Sequence, residues 1–188
     1  MAVLDAMYNE CQEDLEPRGV LVLGPPGLGK SRLRHEFVRR LENRGQRPIL
    51  LLGRGDPMKV KSAYGIIGDA LRHQLNLRVG EGLAAQRTRI HERMAAALPP
   101  SEALRVTVFI GELCGVPFAD EDSPQLSAAR QDPRVMSDQV ERAFLDSLQV
   151  LRGEQPVLLV LEDLHWSDAL TIKLVGAALR RLHEYPLM

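Results

Sequence analysis

Eight consecutive residues carry the clearest chemistry in this chain. Gly24-Pro25-Pro26-Gly27-Leu28-Gly29-Lys30-Ser31 fits GxxxxGK[ST] at every fixed position. Phosphate oxygens concentrate negative charge, and a glycine-rich turn can aim several main-chain N–H groups at them because no Cβ obstructs the approach. A helix beginning at the same point adds its N-terminal dipole and its unpaired donors. Pro25 and Pro26 have no N–H and stiffen the entry, so the expected donors are Gly27, Leu28, Gly29, Lys30 and Ser31, with Arg32 next in line. The Lys30 ammonium should reach the outer phosphates as a point charge, and the Ser31 hydroxyl should coordinate Mg²⁺.

The second chemical feature is Glu162-Asp163, which directly follows the apolar run Val157–Leu161. A buried strand ending in two carboxylates can hold them beside a triphosphate. One would support hydrated Mg²⁺, and the next would orient a water for attack on the γ-phosphate. Taken alone, the same residues are a strand running into two solvated acids; the upstream phosphate loop favours the functional reading.

These residues need a scaffold, and the hydrophobic pattern supplies one. Residues 2–15 have helical spacing in Val3, Leu4, Met7, Cys11 and Leu15, and Pro17 and Gly19 end that segment. Val20–Leu23 reads as a short buried strand feeding the glycine-rich turn. A helix should run from Ser31 to Arg44, with Leu33, Phe37, Val38 and Leu41 on one face and Gly45 as its C-cap. Ile49–Leu52 reads as a second strand. Residues 62–77, 80–98, 101–115 and 133–152 read as four helices, and polar, proline-marked Asp120–Pro133 as a loop. Val157–Leu161 is a third strand, and a last helix starts near Ser167. Strands alternating with helices predict an α/β fold: a parallel sheet with flanking helices and a helical insertion, 58–152, between the second and third strands of one domain spanning 1–188. Arg32, Arg34, Arg39 and Arg40 read as a solvated helix face.

Bulk properties narrow the function. The 188 residues are 45% apolar and 26% charged with a net charge of −1, so no global charge favours nucleic acid or an anionic membrane. The uninterrupted apolar runs are four or five residues, against the roughly 20 of a membrane span. Cys11 and Cys114 form no metal-spaced pair. No signal-peptide pattern opens the chain, and a reduced, cytoplasmic setting is expected.

Together, GPPGLGKSRL and VLLVLEDLHWSDALT resemble the nucleotide-binding module of AAA+-related ATPases in the STAND group. The closest likeness is to the module joined to kinase, cyclase or LuxR-type DNA-binding domains in bacterial signalling proteins. GRGDPMKVKSAYGIIGDALR, residues 53–72, resembles the segment after the second strand in that group. The resemblance implies a P-loop NTPase fold and ATP with Mg²⁺ as cofactors. Gly24–Ser31 correspond to the Walker A loop, Glu162 to the Mg²⁺-associated carboxylate and Asp163 to the water-activating acid. The usual order of that pair is aspartate then glutamate. Asp163 is therefore one methylene shorter than the usual base, which predicts slow hydrolysis. His165 falls where a γ-phosphate sensor or an ordinary loop histidine would stand.

Set against the group, the chain looks cut at both ends. Pro186-Leu187-Met188 resemble the opening of the next strand. The group's strand order, 5-1-4-3-2, places that fourth strand between the phosphate-loop strand and the Glu162-Asp163 strand. Without it, those two strands would pair directly or leave a gap of about 9.6 Å, twice the usual spacing. The sheet is thus expected to be incomplete, and the chain a poorly stable fragment and a weak ATPase. The resemblance implies a nucleotide-dependent switch that binds ATP or ADP, acts on attached or partner signalling domains and forms nucleotide-dependent oligomers. A non-enzymatic adaptor with structural nucleotide and an active ATPase motor are the alternatives.

Overall fold

A computed structural model of the chain describes residues 1–58 and 63–188; residues 59–62, part of the segment 53–72 singled out above, lie outside the described residues. The elements run α1 (Ala2–Asp14), α2 (Lys30–Asn43), β1 (Ile49–Arg54), α3 (Gly65–Gln74), α4 (Leu83–Ala95), α5 (Pro100–Cys114), α6 (Pro124–Gln131), α7 (Pro133–Arg152), β2 (Val157–Glu162) and α8 (Ala169–Arg181). Single 3₁₀ turns cover Asp120–Asp122 and Leu164–Trp166.

β1 and β2 are parallel neighbours in a six-residue register that runs from Ile49 opposite Val157 to Arg54 opposite Glu162. Side chains alternate between the two faces of this pair, as the pleat requires. Leu50, Leu158 and Val160 join Tyr8, Phe37 and Leu41 in a small core under α1 and α2. Ile49, Leu51, Val157, Leu159 and Leu161 join the large core built by α3 to α8. The sheet is thus covered on both faces, which explains why its strands read as continuous apolar runs. Phe109, Ile110, Phe144 and Leu148 on α5 and α7 are fully buried at the centre of the large core.

The α1–α2 unit is fastened by two kinds of contact. Tyr8 meets Phe37 edge-on with ring centroids 6.0 Å apart. Buried Asp5 accepts from Arg44 at 3.2 Å and forms an ion pair with Arg40 at 3.1 Å.

Three expectations need correction. Asp120–Pro133 is not a loop, because α6 forms within it. Ser123 caps this helix by accepting from the Leu126 N–H at 3.2 Å, Pro124 occupies the first turn, where its missing N–H has no cost, and Leu126 and Ala129 are buried. Val20–Leu23 is neither buried nor paired as a strand: all four side chains are exposed, Leu23 to 82%. Finally, β2 and the segment before the phosphate loop neither pair directly nor leave an open gap. Pro186–Met188 lies between them. Leu187 bridges Val157 in parallel, Leu159 N–H donates to Met188 O at 2.8 Å, and Arg18 N–H donates to Leu187 O at 2.8 Å. Beyond Arg18 the chain runs past these three residues, so Val20–Leu23 has no neighbouring strand among the described residues and remains exposed.

Candidate functional site

The glycine-rich loop is exposed and leads straight into α2. Gly27 and Gly29 have φ of 85° and 83°, a left-handed conformation that side chains disfavour. A Cβ on Gly27 would meet nothing within 4 Å, so the turn is uncrowded at that position. Gly29 is the residue before the first turn of α2, and its carbonyl accepts from Leu33 N–H at 2.8 Å. The Lys30 ammonium folds back over the loop and donates to Gly24 O at 2.8 Å and Pro25 O at 3.0 Å. Gly24, Pro25, Pro26 and Leu28 complete the exposed turn, and Arg32 projects from the first turn of α2 as an exposed side chain.

Glu162 ends β2 on the face that carries Leu158 and Val160, so its side chain points toward α2. Its carboxylate is largely buried and shared between two arginines. Arg34 Nε donates to Oε1 at 3.0 Å, and Arg54 reaches Oε2 through Nη2 at 2.7 Å and Nε at 3.3 Å. The Ser31 side chain lies close enough to help hold the carboxyl pKa down. Burial pushes the Glu162 carboxyl pKa up, but the bonds from Arg54, Arg34 and Ser31 outweigh it and hold it below the ordinary carboxylate range.

Arg34 is therefore not a solvated residue, since its side chain is only 14% exposed. Position on α2 decides this: Arg34 sits three residues after Ser31, on the turn that faces the end of β2. Arg54 follows from register, because Arg54 and Glu162 are both the sixth residue of their strands and lie directly opposite each other. Sequence reading missed both arginines. The available signal was the equal count from the start of each strand to a charged residue of opposite sign.

Asp163 has left-handed backbone angles, φ 54° and ψ 43°. Its carbonyl accepts from Trp166 N–H at 2.9 Å, and its carboxylate is exposed, 4.0 Å from Arg54 Nε. Gly55 makes this turn possible. A Cβ there would lie 2.3 Å from Asp163 O and 3.0 Å from the Trp166 Cβ. Gly53 is equally confined, with Ile66 O 2.3 Å from its missing Cβ. The Gly53-Arg54-Gly55 run thus packs tightly against α3 and against the Asp163 turn while Arg54 faces Glu162. His165 is exposed, and its ring lies 4.9 Å from that of Trp166. Asp168 caps α8, accepting from Thr171 N–H at 2.9 Å and Thr171 Oγ1 at 2.6 Å.

The AAA ATPase domain profile matches residues 1–188. The chain belongs to the AAA ATPase domain family. Family membership implies nucleotide binding and hydrolysis, and the two parallel strands with their helices are consistent with part of a P-loop NTPase fold. A relative in Rhizobium meliloti (strain 1021), an uncharacterized protein, is 26% identical over 171 residues. That match covers 90% of this chain but only 15% of the relative, so the chain spans a small part of the curated protein it resembles. No solved structure matches the chain significantly. Among the described residues, no helix is long and apolar enough to cross a membrane.

The residues present fit ATP with Mg²⁺. Ser31, in the first turn of α2, and Glu162, at the end of β2, are neighbouring hard oxygen donors next to the glycine-rich turn.

Proposed function

We propose that this AAA ATPase domain is an ATP-dependent switch module of a signalling or transcription-regulatory protein, in which hydrolysis is slow. The observation that carries the nucleotide site is the meeting of Ser31 and Glu162, 131 positions apart in the chain, beside the glycine-rich loop. Gly27 to Ser31 bind the phosphates through main-chain N–H groups, and Lys30 exchanges its two carbonyl partners for phosphate oxygens. Ser31 and Glu162 hold Mg²⁺, which when bound neutralises charge on the β- and γ-phosphates. Asp163 holds the attacking water through its exposed carboxylate. Its short side chain limits its reach to that water, which supports a timer rather than a motor.

Titrating a fluorescent ATP analogue into the wild type and Lys30→Ala tests the site. Affinity is expected to fall at least about tenfold in the variant, and equal binding would favour the adaptor reading. Phosphate release from Asp163→Asn tests the second role. An unchanged rate removes Asp163 from catalysis.

A further inference from the structure

We propose that Arg54 is a built-in competitor for the divalent cation: it holds the Glu162 carboxylate and must let go before the metal site can load. This inference rests on the nucleotide-site reading above and adds a residue to it.

Both oxygens of Glu162 have guanidinium partners, Arg34 on Oε1 and Arg54 on Oε2. A hydrated Mg²⁺ held by Ser31 and Glu162 needs the same lone pairs, and it brings two positive charges next to two others. Arg54 alone places two donors on Oε2, so a hydrated cation approaching that oxygen meets the guanidinium already there. A cation and a guanidinium compete for one carboxylate oxygen, so loading the cation there requires an arginine to give way.

The two arginines are not equally able to do so. Arg34 is 14% exposed and packed on α2, whereas the Arg54 side chain is 63% exposed at the open end of the sheet. An exposed ion pair is weak, because water solvates both partners well and a long side chain gains entropy on release. Arg54 also has another acidic neighbourhood within reach. It lines a small recess with Asp56, Trp166 and Asp168, and its Nε is already 4.0 Å from Asp163 Oδ2. The confined glycines on either side keep the backbone fixed, so release is a side-chain swing. Glu162 would then pass from one cation to another without ever being left unpaired.

The test measures the dissociation constant of a fluorescent ATP analogue in EDTA and at saturating free Mg²⁺, and takes the ratio as the magnesium enhancement. In Arg54→Gln the enhancement should rise about three- to tenfold over the wild type, the range expected for removing one exposed competing charge. Arg54→Lys keeps the charge but loses the two-pronged grip, so its enhancement should lie between the two. An enhancement in Arg54→Gln equal to or below the wild-type value overturns the proposal. Should that variant fail to fold, an Arg54→Lys enhancement at or below wild type overturns it equally. If the wild type binds the analogue and responds to magnesium but the variants match it, only this inference falls. If the wild type binds no analogue at all, the nucleotide-site reading falls and takes this inference with it.

Discussion

The two faces of the sheet are built to different standards. Behind β1 and β2, helices α3 to α8 enclose a large core in which Phe109, Ile110, Phe144 and Leu148 are fully buried. In front, α1 and α2 enclose four buried residues, Tyr8, Phe37, Leu41 and Leu158, and the loop that leads to the chemistry is exposed throughout. The rear is held by apolar burial. The front is held by a small core and by charged groups that reach across it: Asp5 to Arg40 and Arg44, and Glu162 to Arg34 and Arg54. Apolar burial is indifferent to ligands, whereas ion pairs can be exchanged for ligands of the same charge. The contrast therefore separates a frame that keeps its shape from a face that can respond to a polyphosphate and a cation.

The contrast breaks if front and rear respond alike to substitution. Phe109→Ala removes a ring from the centre of the rear core and should cost about 3–5 kcal/mol, enough to abolish a cooperative melt in a marginal domain. A loss below about 1 kcal/mol, read from denaturant unfolding, would show that the rear is not the frame.

Glu162→Gln comes next. It leaves the largely buried Arg34 guanidinium without its anion and should cost about 1–3 kcal/mol at neutral pH. The sign of its pH dependence is fixed by the depressed carboxyl pKa. A group whose folded pKa lies below its unfolded value contributes in full above the unfolded value and loses that contribution as pH falls through the folded one. Melts of wild type and variant should therefore converge below the ordinary carboxylate range. A difference that persists at low pH would mean that packing, not charge, holds the front together.

Leu23→Ser should have the smallest effect, within about 0.5 kcal/mol, because the side chain touches little. A large loss of thermal stability in this chain would mean that the segment before the phosphate loop is buried after all.

Much of this division was legible in the sequence, and the misses are instructive. The phosphate loop, α2, β2 and its terminal acids follow from local pattern, since spacing and turn chemistry act over a few residues. Val20–Leu23 has the composition of a core strand, yet burial depends on neighbours far along the chain, and the backbone bond to such a neighbour falls before it, from Arg18 to Leu187. α6 hid behind Pro124, which reads as a breaker but sits where a helix tolerates it. Arg34 and Arg54 were visible as arginines and invisible as partners. They find Glu162 across 128 and 108 positions, and only the strand register and the face of α2 decide that.

The bond between Arg18 and Leu187 has a consequence for the order of assembly. It joins segments 169 positions apart, a slow event in folding because distant segments must first be brought together at an entropic cost. The span just ahead of the glycine-rich turn gains this anchor only once Pro186–Met188 is seated against β2, so the tether of the loop and the edge of the sheet form together.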